Sequence, residues 1–143
     1  MIKRELLLIM FCLIILLTGT TAWADEQQTA EQEEAQAVVT RYFDALAQGD
    51  TETIKYLLGG EFLQRREKIL SNPVYPDLLS ELYALAEFEI IRSAPVGNNA
   101  IAVDTIITLN PQEVIKTRFL LAKLGHAPEE ESRFRIVGEN ELD

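Results

Sequence analysis

The chain predicts an α+β domain in which N-terminal helices pack on the concave face of a bent four-stranded antiparallel meander. Apolar residues recur at helical spacing as far as Ala86, and from Glu87 onward the period drops to two. The connections between the later segments are short, which makes consecutive strands antiparallel neighbours. Helices first and strands afterwards place all the helices on one side of the sheet.

The opening residues stand apart from that domain. Leu6 to Leu17 is an unbroken apolar run of 12 behind Lys3 and Arg4, and Ala22-Trp23-Ala24 supplies a small-x-small cleavage pattern. The run is short for a membrane-spanning helix, which needs roughly 20 apolar residues. Residues 1–24 therefore read as a signal peptide, with Asp25 to Glu34 as a flexible acidic start and 35–143 as the folded domain. Cys12 lies inside the apolar run rather than after small residues at its end, so lipid attachment is disfavoured. The expected location is periplasmic or secreted. Cleavage after Ala24 leaves 119 residues with 11 Lys and Arg against 22 Asp and Glu. The single Cys and the single Trp depart with the leader. A thiol nucleophile, a thiolate metal site and a disulfide scaffold are excluded from the remaining chain. The acidity also disfavours a nucleic-acid partner, which needs clustered Lys and Arg, and a membrane surface after cleavage.

Taken in order, Thr29-Ala30-Glu31-Gln32 has the form of a capping box and predicts a helix start. Ala35, Val38, Val39, Tyr42, Phe43 and Leu46 then form one apolar stripe that ends at Gly49. Asp50 can cap a second short helix, Thr51 to Leu58, stopped by Gly59-Gly60. A third, Glu61 to Leu70, ends at Ser71-Asn72-Pro73. Pro76 and Asp77 suit the start of a fourth, with Leu78, Leu79, Leu82, Leu85 and Ala86 as its buried stripe. Strands follow over Glu87–Ala94, Ala100–Leu109, Val114–Leu124 and Arg133–Gly138. Gly97-Asn98-Asn99, Asn110-Pro111-Gln112 and Gly125-His126-Ala127-Pro128 are the turns between them.

If Val96 pairs with Ala100 and Leu109 with Glu113, then Arg92 lies opposite Asp104, and Asp104 opposite Arg118. Phe88, Ile90 and Ile106 share that wetter face. The other face carries Ile91, Ile101, Val103, Ile107, Leu109, Ile115, Phe119 and Leu121 and is the one for helices to cover. On it Thr105 and Thr117 lie near the middle, with Glu89 and Lys123 toward the ends.

Val39-x-x-Tyr42-Phe43-x-Ala45-Leu46-x-x-Gly49-Asp50 resembles the first-helix signature of the nuclear transport factor 2-like superfamily, also called cystatin-like α+β cones. Arg133-Phe134-Arg135-Ile136-Val137 resembles its last strand, with Phe134 where Trp is frequent. The resemblance covers about residues 35–138 and points to a small exported member. It implies a pocket between the concave face and the helices. The candidate lining is Tyr42, Tyr56 and Tyr83 from the helices, with Glu89, Thr105, Thr117 and Phe119 from the strands.

Other candidates have simpler readings. Asp44 follows Tyr42 by two residues, about 200° around the helix, and so faces water. Arg92, Asp104 and Arg118 read as a cross-strand charge ladder rather than an anion site. His126 and the following Glu129-Glu130-Glu131 lack a second nitrogen ligand or a calcium loop, so no metal site is expected. Arg65, Arg66 and Lys68 form the one dense basic patch, diluted by Glu61 and Glu67, and read as a plain helix surface. No phosphate loop, nucleophile elbow or zinc-protease motif occurs, and no catalytic residue or cofactor is assigned.

The expected function is an exported, non-catalytic binding domain for a small apolar or amphipathic ligand or for a protein. One alternative is an isomerase- or dehydratase-type enzyme with Glu89 as base. Another is an interaction protein such as an inhibitor or immunity factor; a homodimer through the sheet is compatible with either binding role. A carrier requires a cone of more than about 300 Å³, and an interaction module a filled cone with an apolar patch outside it.

Overall fold

The polar segment after the leader pattern is rich in Ala, Glu and Gln, which are strong helix formers, and nothing in it breaks a helix. In the computed structural model, which describes residues 2–110, 113–124 and 132–143, with side chains from Trp23 onward except that of Asn110, α1 accordingly runs Ile2–Gln48. The expected start at Thr29 is therefore corrected. The Thr29 hydroxyl donates back to the Asp25 carbonyl within the helix, rather than capping a new one. Asp25 to Glu34, read as flexible, is helical for the same reason. The chain divides into two units, one ending at Glu31 and one beginning at Gln32. The second carries the sheet and all that follows. His126 and Glu129 to Glu131 lie outside the described residues.

Gly49 ends α1 at φ +65°, a conformation that disfavours any side chain, and its bare Cα packs against the Pro76 carbonyl. Asp50 then caps α2 (Thr51–Leu57): its carboxylate accepts from the Thr53 backbone N–H at 3.0 Å and from the Thr53 hydroxyl at 2.6 Å. α3 (Gly60–Leu70) buries Phe62 and Leu70. α4 (Tyr75–Tyr83) begins with Pro76 in its first turn and buries Leu79. The expected leucine stripe is corrected here. Leu78 and Leu82 are about half exposed, and Leu85 lies beyond the helix end, 90% exposed. The row Tyr75, Leu79, Tyr83, four residues apart, faces the core instead.

Four strands, β1 (Glu87–Val96), β2 (Ala100–Asn110), β3 (Glu113–Lys123) and β4 (Phe134–Glu141), form one antiparallel meander in chain order. Val96 pairs with Ala100, and Arg92, Asp104 and Arg118 align across three strands, as the turn residues predict. Near the second turn Asn110, not Leu109, pairs with Glu113. Two bulges change which side chains face inward. Ile91 is extra on β1, so Phe88 and Ile90 pair with Ile107 and Thr105 on the helix-covered face. Glu89 and Ile91, expected on that face, leave it; both are exposed. On β4 the register slips between Leu120 and Leu121, past Val137, and Glu139 comes opposite Phe119. The segment after α2 closes on the outer side of β4, where Gly59 N–H donates to the Ile136 carbonyl at 2.9 Å.

The core lies between α1 and the sheet. Val39, Ile54, Leu57, Val103, Phe119, Leu121, Phe134 and Ile136 are essentially inaccessible to solvent. Phe43 stacks on Phe88 with ring centres 4.4 Å apart, and Tyr42 meets Phe119 edge-on at 5.7 Å. One stretch of α1 is tied to both edges of the sheet by polar side chains. Gln36 Nε2 donates to the Ser93 hydroxyl at 2.7 Å, and Glu34 accepts from both the Ser132 hydroxyl and the Arg133 N–H at 2.9 Å.

Candidate functional site

The helical row of Tyr75 and Tyr83 on α4 stands across from Tyr42 on α1 and Phe119 on β3, with α3 and the end of β4 closing the side. These elements do not meet completely. They leave a cleft of about 140 Å³ floored by Tyr42, Leu46, Leu79 and Phe119, with Leu78 and Leu82 at its edge. Its polar side is Arg66 and Glu139. Arg66 Nη2 donates to Glu139 Oε2 at 2.7 Å in a single contact, and both side chains are part exposed. The guanidinium of Arg66 also lies over the Phe62 ring, 4.3 Å from its centre, which holds it from below.

Burial raises the Tyr42 hydroxyl well above the ordinary tyrosine range; the negative charge of Glu139 adds to this and the positive charge of Arg66 opposes it. Burial raises Tyr83 as well, with Glu139 again contributing. Both phenols are therefore neutral at pH 7. They can donate or accept a hydrogen bond, but they are poorly suited to give up a proton.

Of the seven residues named as candidate pocket lining, Tyr42, Tyr83 and Phe119 come together in this cleft. The others do not. Tyr56 lies at the surface between two guanidiniums, Arg135 at 4.3 Å and Arg41 at 5.6 Å from its ring centre. Thr105 and Thr117 are buried in the sheet away from the cleft, and the Thr105 hydroxyl is spent on the Thr117 carbonyl at 3.2 Å. Glu89 is turned to the outer face by the Ile91 bulge. Asp44 is exposed, as its helical position predicts.

Glu139 is the residue that strand alternation alone misses. Counting inward from Phe134 and Ile136 puts Gly138 inside and Glu139 outside; the slip at Val137 reverses this. Gly138 was the available signal, since a glycine within a strand often marks a bulge. Arg66 was legible only as a member of a basic patch, and Tyr75, just ahead of the Pro76 helix start, was not singled out.

On the opposite face of the sheet, Asp104 is clasped by both neighbouring arginines. Arg118 donates through two nitrogens, at 2.6 and 2.9 Å, and Arg92 through Nε at 2.8 Å. These bonds, Arg118 first, hold the carboxyl down at about 2 against the opposing effect of burial. Three of the carboxylate's roughly four acceptor positions are used within the ladder, which fits a structural role. Among the described residues, no group of three His, Cys, Asp or Glu could hold a metal ion, and no helix is long and apolar enough to cross a membrane. Comparison of the chain with protein-family models, curated proteins and solved structures returns no match.

Proposed function

We propose that this is an exported, non-catalytic binding domain of the nuclear transport factor 2-like superfamily, and that its site is the cleft between α1, α4 and the end of β4. Export rests on the leader pattern of Leu6 to Ala24. The superfamily assignment rests on the helix signature around Tyr42 and on the order of helices before a meander.

The observation that carries the binding role is the size and make-up of the cleft. Its volume of about 140 Å³ falls short of the roughly 300 Å³ that a carrier requires, so a drug-sized ligand is not supported and only a smaller occupant fits. It is close to the ~150 Å³ of an engineered apolar cavity that takes up benzene. The occupant is therefore one ring or short alkyl group, with polar atoms at the Tyr and Arg66–Glu139 side. A small amphipathic molecule meets that description. The catalytic alternative loses its base, because exposed Glu89 faces away from any enclosed substrate.

A protein partner is the second reading. Val74, Leu78, Leu82 and Leu85 are each at least half exposed along one helix and its ends, beside the cleft. A partner would present a single apolar side chain to the same opening.

Benzyl alcohol, titrated into isotopically labelled protein and followed by amide NMR, tests the site. The reading expects shifts confined to residues around Tyr42, Leu79 and Phe119, abolished by Leu82→Trp, which fills the edge without touching the core. Shifts scattered over the surface, or unchanged in Leu82→Trp, count against it.

A further inference from the structure

Arg66 and Glu139 line two spaces at once. One is the cleft of about 140 Å³; the other is a shallower groove of about 400 Å³ bounded by Phe62, Arg65, Gly138 and Asn140. The ion pair is the partition between them. Its two halves are held unequally. Arg66 is fixed by the Phe62 ring beneath it, whereas Glu139 belongs to the polar end of β4, two residues past the bulge. The contact is also one-pronged, Nη2 to Oε2, in contrast to the two-nitrogen grip of Arg118 on Asp104. A guanidinium presents a planar fork that a carboxylate can engage through two parallel hydrogen bonds. A part-exposed, one-pronged pair is weakly held, so water can take over the carboxylate of Glu139 at little cost.

We propose that Arg66 anchors the carboxylate of an amphipathic monocarboxylate whose ring or short alkyl group fills the inner cleft, and that Glu139 is its built-in competitor. This rests on the binding role of the cleft proposed above and names the chemical class of ligand. With the cleft empty, Glu139 occupies Arg66. The ligand's carboxylate takes the fork from the outer groove, Glu139 moves into solvent, and the tail reaches Leu79 and Phe119 between the neutral phenols of Tyr42 and Tyr83. Competition by Glu139 gives selectivity. A bare anion such as acetate gains nothing from the cleft and does not displace it, whereas an acid with a fitting tail does.

Two probes of nearly equal shape separate the parts: 3-phenylpropionate and 3-phenylpropan-1-ol, with dissociation constants from amide NMR titration at pH 7. In the wild type the acid binds more tightly than the alcohol, and acetate causes no shift at Tyr42 or Leu79. Glu139→Gln removes the competitor and tightens the acid at least threefold relative to the alcohol. Arg66→Gln abolishes the preference for the acid. Glu61→Gln, which removes one charge from the exposed start of α3, changes neither probe. Thermal melts establish that each variant is folded, and Glu139→Gln decides the matter alone should Arg66→Gln be unstable. An acid affinity that Glu139→Gln leaves unchanged or weakens overturns the anchor. If the alcohol still binds in the cleft in that case, the binding role stands without it; if neither probe binds any variant, both fall.

Discussion

Asp104→Asn isolates the charge ladder on the outer face. The side chain is 7% exposed and accepts three hydrogen bonds from two guanidiniums, which lower its pKa from 3.8 to about 2. A shift of nearly two units corresponds to an upper limit of roughly 2.5 kcal/mol of differential stability. Arg92 is 65% exposed, so solvent screens part of this, and the stabilisation at pH 7 comes to about 1–2 kcal/mol. The folded-state pKa is the depressed one, so the contribution is complete above about pH 4 and fades as pH falls toward 2. Urea unfolding of wild type and Asp104→Asn, monitored by circular dichroism between pH 2 and 7, reads this directly. The two curves should differ by about 1–2 kcal/mol at neutral pH and converge at the acid end. A gap that is constant with pH, or absent at pH 7, refutes the account of the ladder.

Further outcomes follow from packing and burial. Gly49→Ala puts a side chain at φ +65° and into the Pro76 carbonyl, and a melt should show a loss of about 2–4 kcal/mol. Phe119→Ala empties the centre of the layer between α1 and the sheet, costing about 3–5 kcal/mol in denaturant unfolding. The raised pKa of Tyr42 means that the folded state binds its proton more tightly than the unfolded chain does, so stability declines as pH rises above about 10. Tyr42→Phe should flatten that alkaline decline while leaving the acid side alone.

Much of the architecture was legible because it rests on periodicity. The α1 stripe from Ala35 to Leu46, the Gly49–Asp50 stop and cap, and the Arg92–Asp104–Arg118 alignment all follow from spacing and turn residues. Single-residue insertions are what spacing cannot carry. One extra residue at Ile91 and another at Val137 each reverse the inward face for the rest of a strand. The first takes Glu89 out of the interior and brings Phe88 in; the second brings Glu139 in. The leucines of α4 misled for a different reason. Two amphipathic rows were available, and tertiary packing took Tyr75, Leu79 and Tyr83, leaving Leu78 and Leu82 to edge the cleft. The greasy, hydroxyl-bearing character of the interior was thus readable, but its charged boundary was not.

The most direct test of the cleft as the site is a set of intermolecular NOEs from the ring protons of bound 3-phenylpropionate. Contacts to the side chains of Leu79, Phe119 and Tyr42 are the predicted result. Contacts only to Val74 and Leu85, or to Ile91 and Val96 on the sheet, would place the probe on exposed apolar surface and contradict the account.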